Sequence, residues 1–406
     1  MHKEYTYNTI EISSVPHTLV RKGVHAWLST LDKLIEGAKK IGLRLYPFGT
    51  YHGLHVPATR PDKYYKMCES VIGPEQFMFA AGHVNGFHIH YCLPHGTFNK
   101  KTNSLRQLFR SKYKDQMVQL YNMIVAMDPV LTNFTESSPF VDGMHIAKDS
   151  RLLIYRDMEY SANGITLRGL YSKYPIFGRL PRYVHGITDI IELTAARHRE
   201  WKHIVEQEFP HYMDVFWERH ALQYNWGPLR INKVGTLEYR GLDMNLPSYL
   251  IGASLLFKYV LHAVRKYGLK VVPSDVGIRE PFKIEGESIY VPPYSYLANT
   301  LQFNSAVHGL SDDSIFKYSK RFFALCRKLI PNANDPGLKR IAQMLRERKT
   351  KSDLIIEQVR KSGLDLREQL PREYAMELAL KGAEELEKEV ESIIRRELII
   401  DDNELG

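Results

Sequence analysis

Three short segments of this 406-residue chain place ionisable side chains at alternate positions. Glu11 stands between two isoleucines, and His88 and His90 are separated by a single isoleucine. Farther along the chain, Glu238 and Arg240 are separated by a tyrosine. Because successive side chains of a β-strand point to opposite faces, each segment could bury its apolar residues and present its ionisable ones. If the three strands pair in one sheet, carboxylate, imidazole and guanidinium groups line one surface.

This combination of groups suits phosphoryl chemistry with a bound metal ion. Mg²⁺ prefers carboxylate oxygens and often bridges to substrate phosphates, whereas imidazole is a better ligand for Mn²⁺. Arginine adds a permanently charged fork for phosphate or carboxylate oxygens. Together they could neutralise the charge that develops as a γ-phosphoryl group moves. A structural alternative stays open, because alternating charged residues are also typical of a sheet with one solvated face.

The hydrophobic pattern indicates which elements would position these residues. It predicts strands in residues 9–13, 43–47, 77–93 and 236–242, with a polar turn near residues 83–86. It predicts helices in residues 24–38, 105–127, 187–205 and 249–264, the second of them ending before Pro129. Strands and helices do not alternate regularly, which favours an α+β fold with an antiparallel sheet.

The chain changes character after about residue 310. Helices are predicted for residues 312–329, 336–347, 351–362 and 370–398, and the charges of the last suit pairing between successive turns. We therefore predict two units, a mixed one in residues 1–310 and a helical C-terminal extension in residues 311–406.

Composition narrows the class of protein. The formal net charge of +9 favours anionic partners, but no basic patch interleaved with aromatic residues supports nucleic-acid binding. Cys68, Cys92 and Cys326 are few and far apart, so neither a disulfide framework nor a cysteine zinc site is indicated. Neither a signal peptide nor a membrane span is indicated. A cytoplasmic location is the simplest expectation.

Several motifs follow one another in the order found in a single family. They are Glu11 in IEIS, residues 49–52 (GTYH), residues 85–90 (NGFHIH), residues 137–143 (SSPFVDG) and residues 236–245 (TLEYRGLDMN). This ordered set resembles the type 2 glutamate–cysteine ligases and their carboxylate–amine ligase relatives. The GTYH segment departs from the family's Gly-Thr-His-Pro turn because it lacks the proline.

The resemblance implies a twisted antiparallel sheet that forms a funnel-like active site, akin to that of glutamine synthetase. It implies a ligase of ATP and Mg²⁺ (or Mn²⁺) that activates a carboxylate, often that of glutamate, as an acyl phosphate for attack by an amine. Glu11, His88 and Glu238 would then hold metal, and Arg240 would contact the transferring phosphate. His90 would contribute to cofactor binding, and Glu238 and Arg240 would be the catalytic pair.

One feature of the family has no counterpart here. Its members carry a Gly-x-Glu-x-Glu strand before the position of Glu11, whereas Glu4 is the only glutamate in residues 1–9. Three readings stay open: the sequence is shortened, a partner chain or a second copy supplies the strand, or the protein is a non-catalytic binding or regulatory relative. Substrate loops are expected in residues 150–185, where Arg156, Arg168 and Arg182 are either anion contacts or structural arginines.

Overall fold

The computed structural model describes residues 2–106, 111–224, 226–330 and 335–395. The strands are β1 (His2–Lys3), β2 (Ile10–Glu11), β3 (Gly86–Cys92), β4 (Phe98–Asn99), β5 (Ser104–Leu105), β6 (Phe140–Val141), β7 (Met144–His145), β8 (Glu159–Ala162), β9 (Ile165–Arg168), β10 (Leu229–Asn232), β11 (Thr236–Asp243), β12 (Lys270–Pro273), β13 (Ile284–Glu285) and β14 (Ser288–Val291). The helices are α1 (Val20–Lys40), α2 (Lys63–Ile72), α3 (Pro74–His83), α4 (Lys112–Thr135), α5 (Ser150–Tyr155), α6 (Pro175–Gly178), α7 (Ile187–Glu208), α8 (Met213–Trp217), α9 (Pro247–Tyr267), α10 (Tyr294–Tyr296), α11 (Gln302–His308), α12 (Asp313–Leu329), α13 (Pro336–Glu347), α14 (Lys351–Lys361) and α15 (Arg372–Arg395).

The sheets are small and mostly antiparallel. The central one has the order β10-β11-β3, so β11 pairs with a neighbour on each side. β1 and β2 form a separate two-stranded hairpin, and β12 runs parallel to β14. The predicted α+β class and helical C-terminus are confirmed, and the funnel-like shape stays a prediction.

Two long helices support the central sheet. α4 packs against both β11 and α9, and its residues 121–135 are buried almost throughout. The prediction that this helix ends before Pro129 is wrong, because Pro129 lies within it. Proline removes one intrahelical hydrogen bond. Two side-chain hydroxyl groups donate to backbone carbonyl groups in this part of the helix. The Tyr318 hydroxyl donates to the Ala126 carbonyl at 2.7 Å, and the Ser305 hydroxyl donates to the Pro129 carbonyl at 2.9 Å.

Two strand predictions also fail. Residues 77–83 belong to helix α3, which begins at Pro74, a residue whose fixed φ suits the first helical position. Residues 43–47 form no strand. In both places the apolar run is short, and neither its length nor a flanking turn motif distinguishes a strand from a helix or coil.

One apolar core joins the sheet to the helices of both predicted units. Leu237, Leu256, Leu338, Val359 and Leu386 all belong to it. A second cluster lies around α2, α5 and α7. The division at residue 310 stays a prediction. Among helices of the described ranges, none has the length and apolar character needed to cross a bilayer.

Candidate functional site

The centre of the site is a row of three residues across the central sheet. Glu238 on β11 lies opposite Arg230 on β10 and opposite His90 on β3. The Glu238 carboxylate accepts hydrogen bonds from Arg230 Nε at 2.7 Å, Arg240 Nη1 at 2.6 Å and Asn232 Nδ2 at 2.5 Å. Both of its oxygens therefore already have cationic or amide partners.

Charge at the centre of the row is fixed by these contacts. The Glu238 side chain is only 2% exposed, so burial opposes its ionisation. The guanidinium groups of Arg240 and Arg230 outweigh burial and lower the pKa of Glu238. Glu238 is thus an anion that holds two arginines in defined positions.

The two histidines of β3 lie on the same face and are neutral. Burial, followed by the nearby charge of Arg240, lowers the pKa of His88 well below its usual value. Its Nδ1 atom lies 3.4 Å from Arg240 Nη1, a donor, so Nδ1 accepts and the proton resides on Nε2. Burial also lowers the pKa of His90, whose Nδ1 lies 2.8 Å from Thr236 Oγ1. Neutral imidazole is the form that binds metal ions.

A pair of carboxyl groups stands beside this sheet. In the β1–β2 hairpin the backbone of His2 pairs with that of Glu11, and Glu4 follows directly after β1. The side chains of Glu4 and Glu11 lie within hydrogen-bonding reach of each other. Burial and this contact raise the pKa of Glu4 to about 8.

The hairpin and the sheet form one electrostatic unit. The charge of Arg240 acts on Glu4, and the charge of Glu11 acts on His90. Glu4 therefore lies within electrostatic range of Arg240, and Glu11 within electrostatic range of His90. The sequence analysis did not identify Glu4 as a site residue. Its spacing from Glu11, which allows a short hairpin between them, could have indicated it.

The arrangement fits a metal ion at the carboxyl pair better than at Glu238. Two adjacent carboxyl groups supply the oxygen ligands that a divalent cation such as Mg²⁺ prefers. Within residues 2–106, 111–224, 226–330 and 335–395, no group of three or more His, Cys, Asp or Glu is placed to hold a metal ion. The metal roles of Glu11, His88 and Glu238 stay predictions.

Two other motifs of the resemblance pack against each other. The Gly49 amide donates to Ser137 Oγ at 2.9 Å, and the Thr50 hydroxyl donates to the Phe140 carbonyl at 2.7 Å. His52 Nε2 lies 3.1 Å from the Ser137 carbonyl, and burial lowers the pKa of His52 to about 4. These loops hold one another in place through backbone contacts.

The arginines expected near the substrate have different surroundings. Arg156 forms a two-point ion pair with Asp128 at 2.8 and 2.7 Å, and both are buried. Arg168 is exposed and contacts a surface glutamate, and Arg182 lies over the Tyr294 ring. Sequence reasoning did not single out Arg151, which lies against β11.

Comparison with known proteins identifies the family to which the chain belongs. Residues 1–215 match the family model described as glutamate-cysteine ligase family 2, a span that includes Glu4, Glu11, His88 and His90 and ends before β10. No curated protein matches the sequence. Because the match extends over more than half of the 406 residues, the chain belongs to glutamate-cysteine ligase family 2.

Proposed function

We propose that the chain is an ATP- and Mg²⁺-dependent carboxylate–amine ligase that forms an amide bond through an acyl phosphate, with glutamate and cysteine as default substrates. Family membership supports a ligase. The observation that carries the proposal is the hydrogen-bonded pair of Glu4 and Glu11 beside Arg240. It combines a cation-binding carboxyl pair with a fixed guanidinium that can contact phosphate.

Glu4 and Glu11 would hold the metal together with the phosphates of ATP, since Mg²⁺ commonly uses one or two protein carboxylates plus phosphate oxygens. His88 would add a nitrogen ligand, which favours Mn²⁺. Glu238 would join only if a bound phosphate draws Arg230 or Arg240 away from it. When bound, the metal neutralises the charge of the phosphate oxygens during transfer.

The reaction needs no protein nucleophile. A carboxylate oxygen of the substrate bonds to the γ-phosphorus while the bond to the β-phosphate oxygen breaks, which releases ADP. The amine nitrogen then bonds to the acyl carbon, phosphate leaves with the former carboxylate oxygen, and the amine proton passes to solvent. Arg240, held by Glu238, would stabilise the charge on the moving phosphoryl group, and positioning would supply much of the acceleration.

A second function has its own support. A non-catalytic binding or regulatory protein would keep this scaffold without the chemistry. The occupied oxygens of Glu238 favour it, because a carboxylate already bound by Arg230 and Arg240 is a poor metal ligand as it stands.

Release of ADP distinguishes the two functions. We expect ADP release that depends on Mg²⁺ or Mn²⁺, a carboxylate and an amine, measured over a panel that includes glutamate and cysteine. Nucleotide binding that depends on metal but gives no ADP with any pair would favour the non-catalytic protein.

The variant Glu4→Gln tests the carboxyl pair. Glutamine has the shape of the protonated acid, so the hydrogen bond to Glu11 can persist while a metal ligand is lost. We expect turnover to fall by at least about 100-fold, since even outer-shell partners of a metal contribute up to that factor. Glu159→Gln, at an exposed surface pair, is the control. Turnover of Glu4→Gln equal to that of the control would rule out this metal site.

A further inference from the structure

The outer face of helix α12 carries positive charge along most of its length. Successive basic residues lie three or four positions apart, or next to one another, so they follow one line along the helix. We call this line the basic stripe, and its members are Lys317, Lys320, Arg321, Arg327 and Lys328. Asp313, in the first turn, is the only acidic residue within α12, and it pairs with Arg348 at 2.8 Å.

Neighbouring carboxylates neutralise little of the basic stripe. Arg321 forms an ion pair with Glu280. Lys317, Lys320 and Lys328 form no ion pair with any residue that the structure describes. Lys317 lies three and four residues before Lys320 and Arg321, and like charges at these spacings destabilise a helix. An anionic partner would relieve this repulsion.

The exposed charges of helix α15 have the opposite arrangement. Lys381, Lys388 and Arg395 each lie four residues after a glutamate and pair with it. Such pairs stabilise a solvated helix, and α12 has none along its stripe. Arg327 and Lys328, in the last turn of α12, complement the helix dipole, but the other three members lie too far from that end to do so. Helix stability therefore does not account for the stripe.

The opposite face of α12 is packed into the core. Ile315, Phe322 and Cys326 are fully buried, and the Phe282 ring lies 5.0 Å from that of Phe322. A helix that lies on a bilayer inserts its apolar face among the lipids, and here that face is occupied. A helix that reads bases enters the major groove of DNA, which the attached core prevents. The stripe can therefore contact a partner only from outside, through charge.

The dimensions of the stripe match the backbone of a nucleic-acid duplex. Lys317 and Lys328 are eleven positions apart, or about 16 Å at 1.5 Å per residue, which is enough to reach several successive phosphates. Ala324 is exposed at the centre of the stripe, so no long side chain holds a duplex away there. Phe316 and Phe323 are half-buried, so α12 lacks the exposed rings on which single-stranded bases stack.

We propose that the basic stripe of α12 binds double-stranded RNA through its phosphate groups, without preference for sequence. RNA is favoured over DNA because an RNA duplex is recognised mostly from outside, by its shape and by phosphate and 2′-hydroxyl contacts. The net charge of +9 adds attraction at a distance. A second copy of the chain is a poorer partner, because glutamates of α15 are already paired within their own helix. None of the residues proposed for the ligase lies on α12, so the inference is independent of that function.

Fluorescence anisotropy of a labelled RNA duplex, titrated with the full chain without ATP, tests this proposal. A length of about 20 base pairs exceeds the roughly 16 that a double-stranded RNA domain covers. We expect a dissociation constant of about 1–100 µM, as for other sequence-independent binding. Lys317→Gln, Lys320→Gln and Lys328→Gln combined should weaken binding at least about 10-fold at low salt, and should reduce the slope of log K against log salt by about 2–3.

Two further triple variants separate charge on the stripe from charge in general. Lysine-to-arginine substitutions at the same three positions keep the charge and should keep the affinity. Lys33→Gln, Lys40→Gln and Lys100→Gln combined remove the same charge from exposed positions outside α12, and should leave the salt slope unchanged. An equal loss of affinity in both glutamine triples would overturn the proposal, because binding would then follow net charge alone.

The remaining outcomes test the choice of partner. RNA duplexes of two unrelated sequences should bind equally, and a strong preference for one would overturn the proposal. Tighter binding of a DNA duplex of the same length would reject RNA as the partner. An anisotropy that stays constant up to about 100 µM protein would reject nucleic acid. In that case stripe-dependent binding to phosphatidylserine vesicles would assign the stripe to a membrane, and stripe-dependent self-association in sedimentation would assign it to a second copy of the chain.

Discussion

Glu238 forms ion pairs with two neighbouring arginines, so its negative charge contributes to the stability of the fold. It neutralises Arg230 and Arg240 from a position that is 2% exposed. Glu238→Gln would leave two buried guanidinium groups without their anion. Because breaking a buried ion pair in this way costs about 3–5 kcal/mol, we expect the free energy of unfolding in urea to fall by that amount.

A matched control is Glu287→Gln. Glu287 pairs with Lys270 at 3.4 Å, but both side chains are more than half exposed. Exposed pairs contribute at most about 1 kcal/mol, so this variant should unfold almost as the wild-type chain does. Equal stability of the two variants would show that Glu238 does not neutralise the arginines in solution.

A second residue pair makes stability depend on pH. His83 is nearly buried and both ring nitrogens face acceptors: Nδ1 faces the Phe79 carbonyl at 2.7 Å and Nε2 faces Asp142 Oδ1 at 3.0 Å. Burial opposes protonation, but Asp142 and the carbonyl groups prevail and raise the pKa of His83 above 6.5. Burial likewise opposes ionisation of Asp142, yet His83 lowers the pKa of that carboxyl below 3.8.

The sign of the pH effect follows from these directions. The raised pKa of His83 contributes stability that is complete below pH 6.5 and is lost as pH rises through the folded value. The lowered pKa of Asp142 contributes stability above pH 3.8 that is lost in acid. Asp142→Asn should therefore lower the unfolding free energy most near pH 5 and less at about pH 9. A difference that stays constant across this range would contradict the pair.

At the scale of elements, strands β3 and β11 could be predicted from the sequence, but the bulge within β11 could not. The alternation around His88 and Glu238 predicted β3 and β11, because one face of each strand is apolar. The bulge at Arg240 and Gly241 leaves no mark on that alternation, since a single extra residue is set by tertiary contacts with Arg151. The position of Glu4 could not be predicted either, because it depends on a hairpin that has only two residue pairs.

Close approach between helices gives a prediction for α9 and α13. Gly252 on α9 faces Gly337 on α13, and a Cβ on Gly252 would lie 2.7 Å from the Gly337 carbonyl oxygen. Gly252→Ala should therefore separate the helices and lower the unfolding free energy, by about 1–3 kcal/mol as in other overpacked cores.

Gly37→Ala is the control, because a Cβ there meets nothing within 4 Å on helix α1. It should raise stability by about 0.5–1 kcal/mol in the same denaturation experiment. Changes of the same sign in both variants would contradict this packing.

At the scale of the whole molecule, the C-terminal helices are fastened to the part of the chain that carries the site. Glu389 on α15 accepts hydrogen bonds from the Ser248 amide and hydroxyl at 3.0 and 2.7 Å, at the start of α9. Glu387 pairs with Lys39 and Arg44 at 2.8 and 2.7 Å. The amphipathic pattern predicted these helices well, but it could not predict which surface they cover.

This attachment gives a test of whether the two predicted units unfold together. Leu386 on α15 is 1% exposed and belongs to the core that includes the central sheet, so Leu386→Ala should cost about 2–5 kcal/mol. All four tryptophans precede residue 310 and report on the other predicted unit. If the shared core makes unfolding cooperative, the substitution should shift tryptophan fluorescence and helical circular dichroism to the same lower denaturant concentration. Met376→Ala, on an exposed position of the same helix, should shift neither. A fluorescence transition that stays in place while part of the helical signal is lost early would mean that the C-terminal helices unfold as a separate domain.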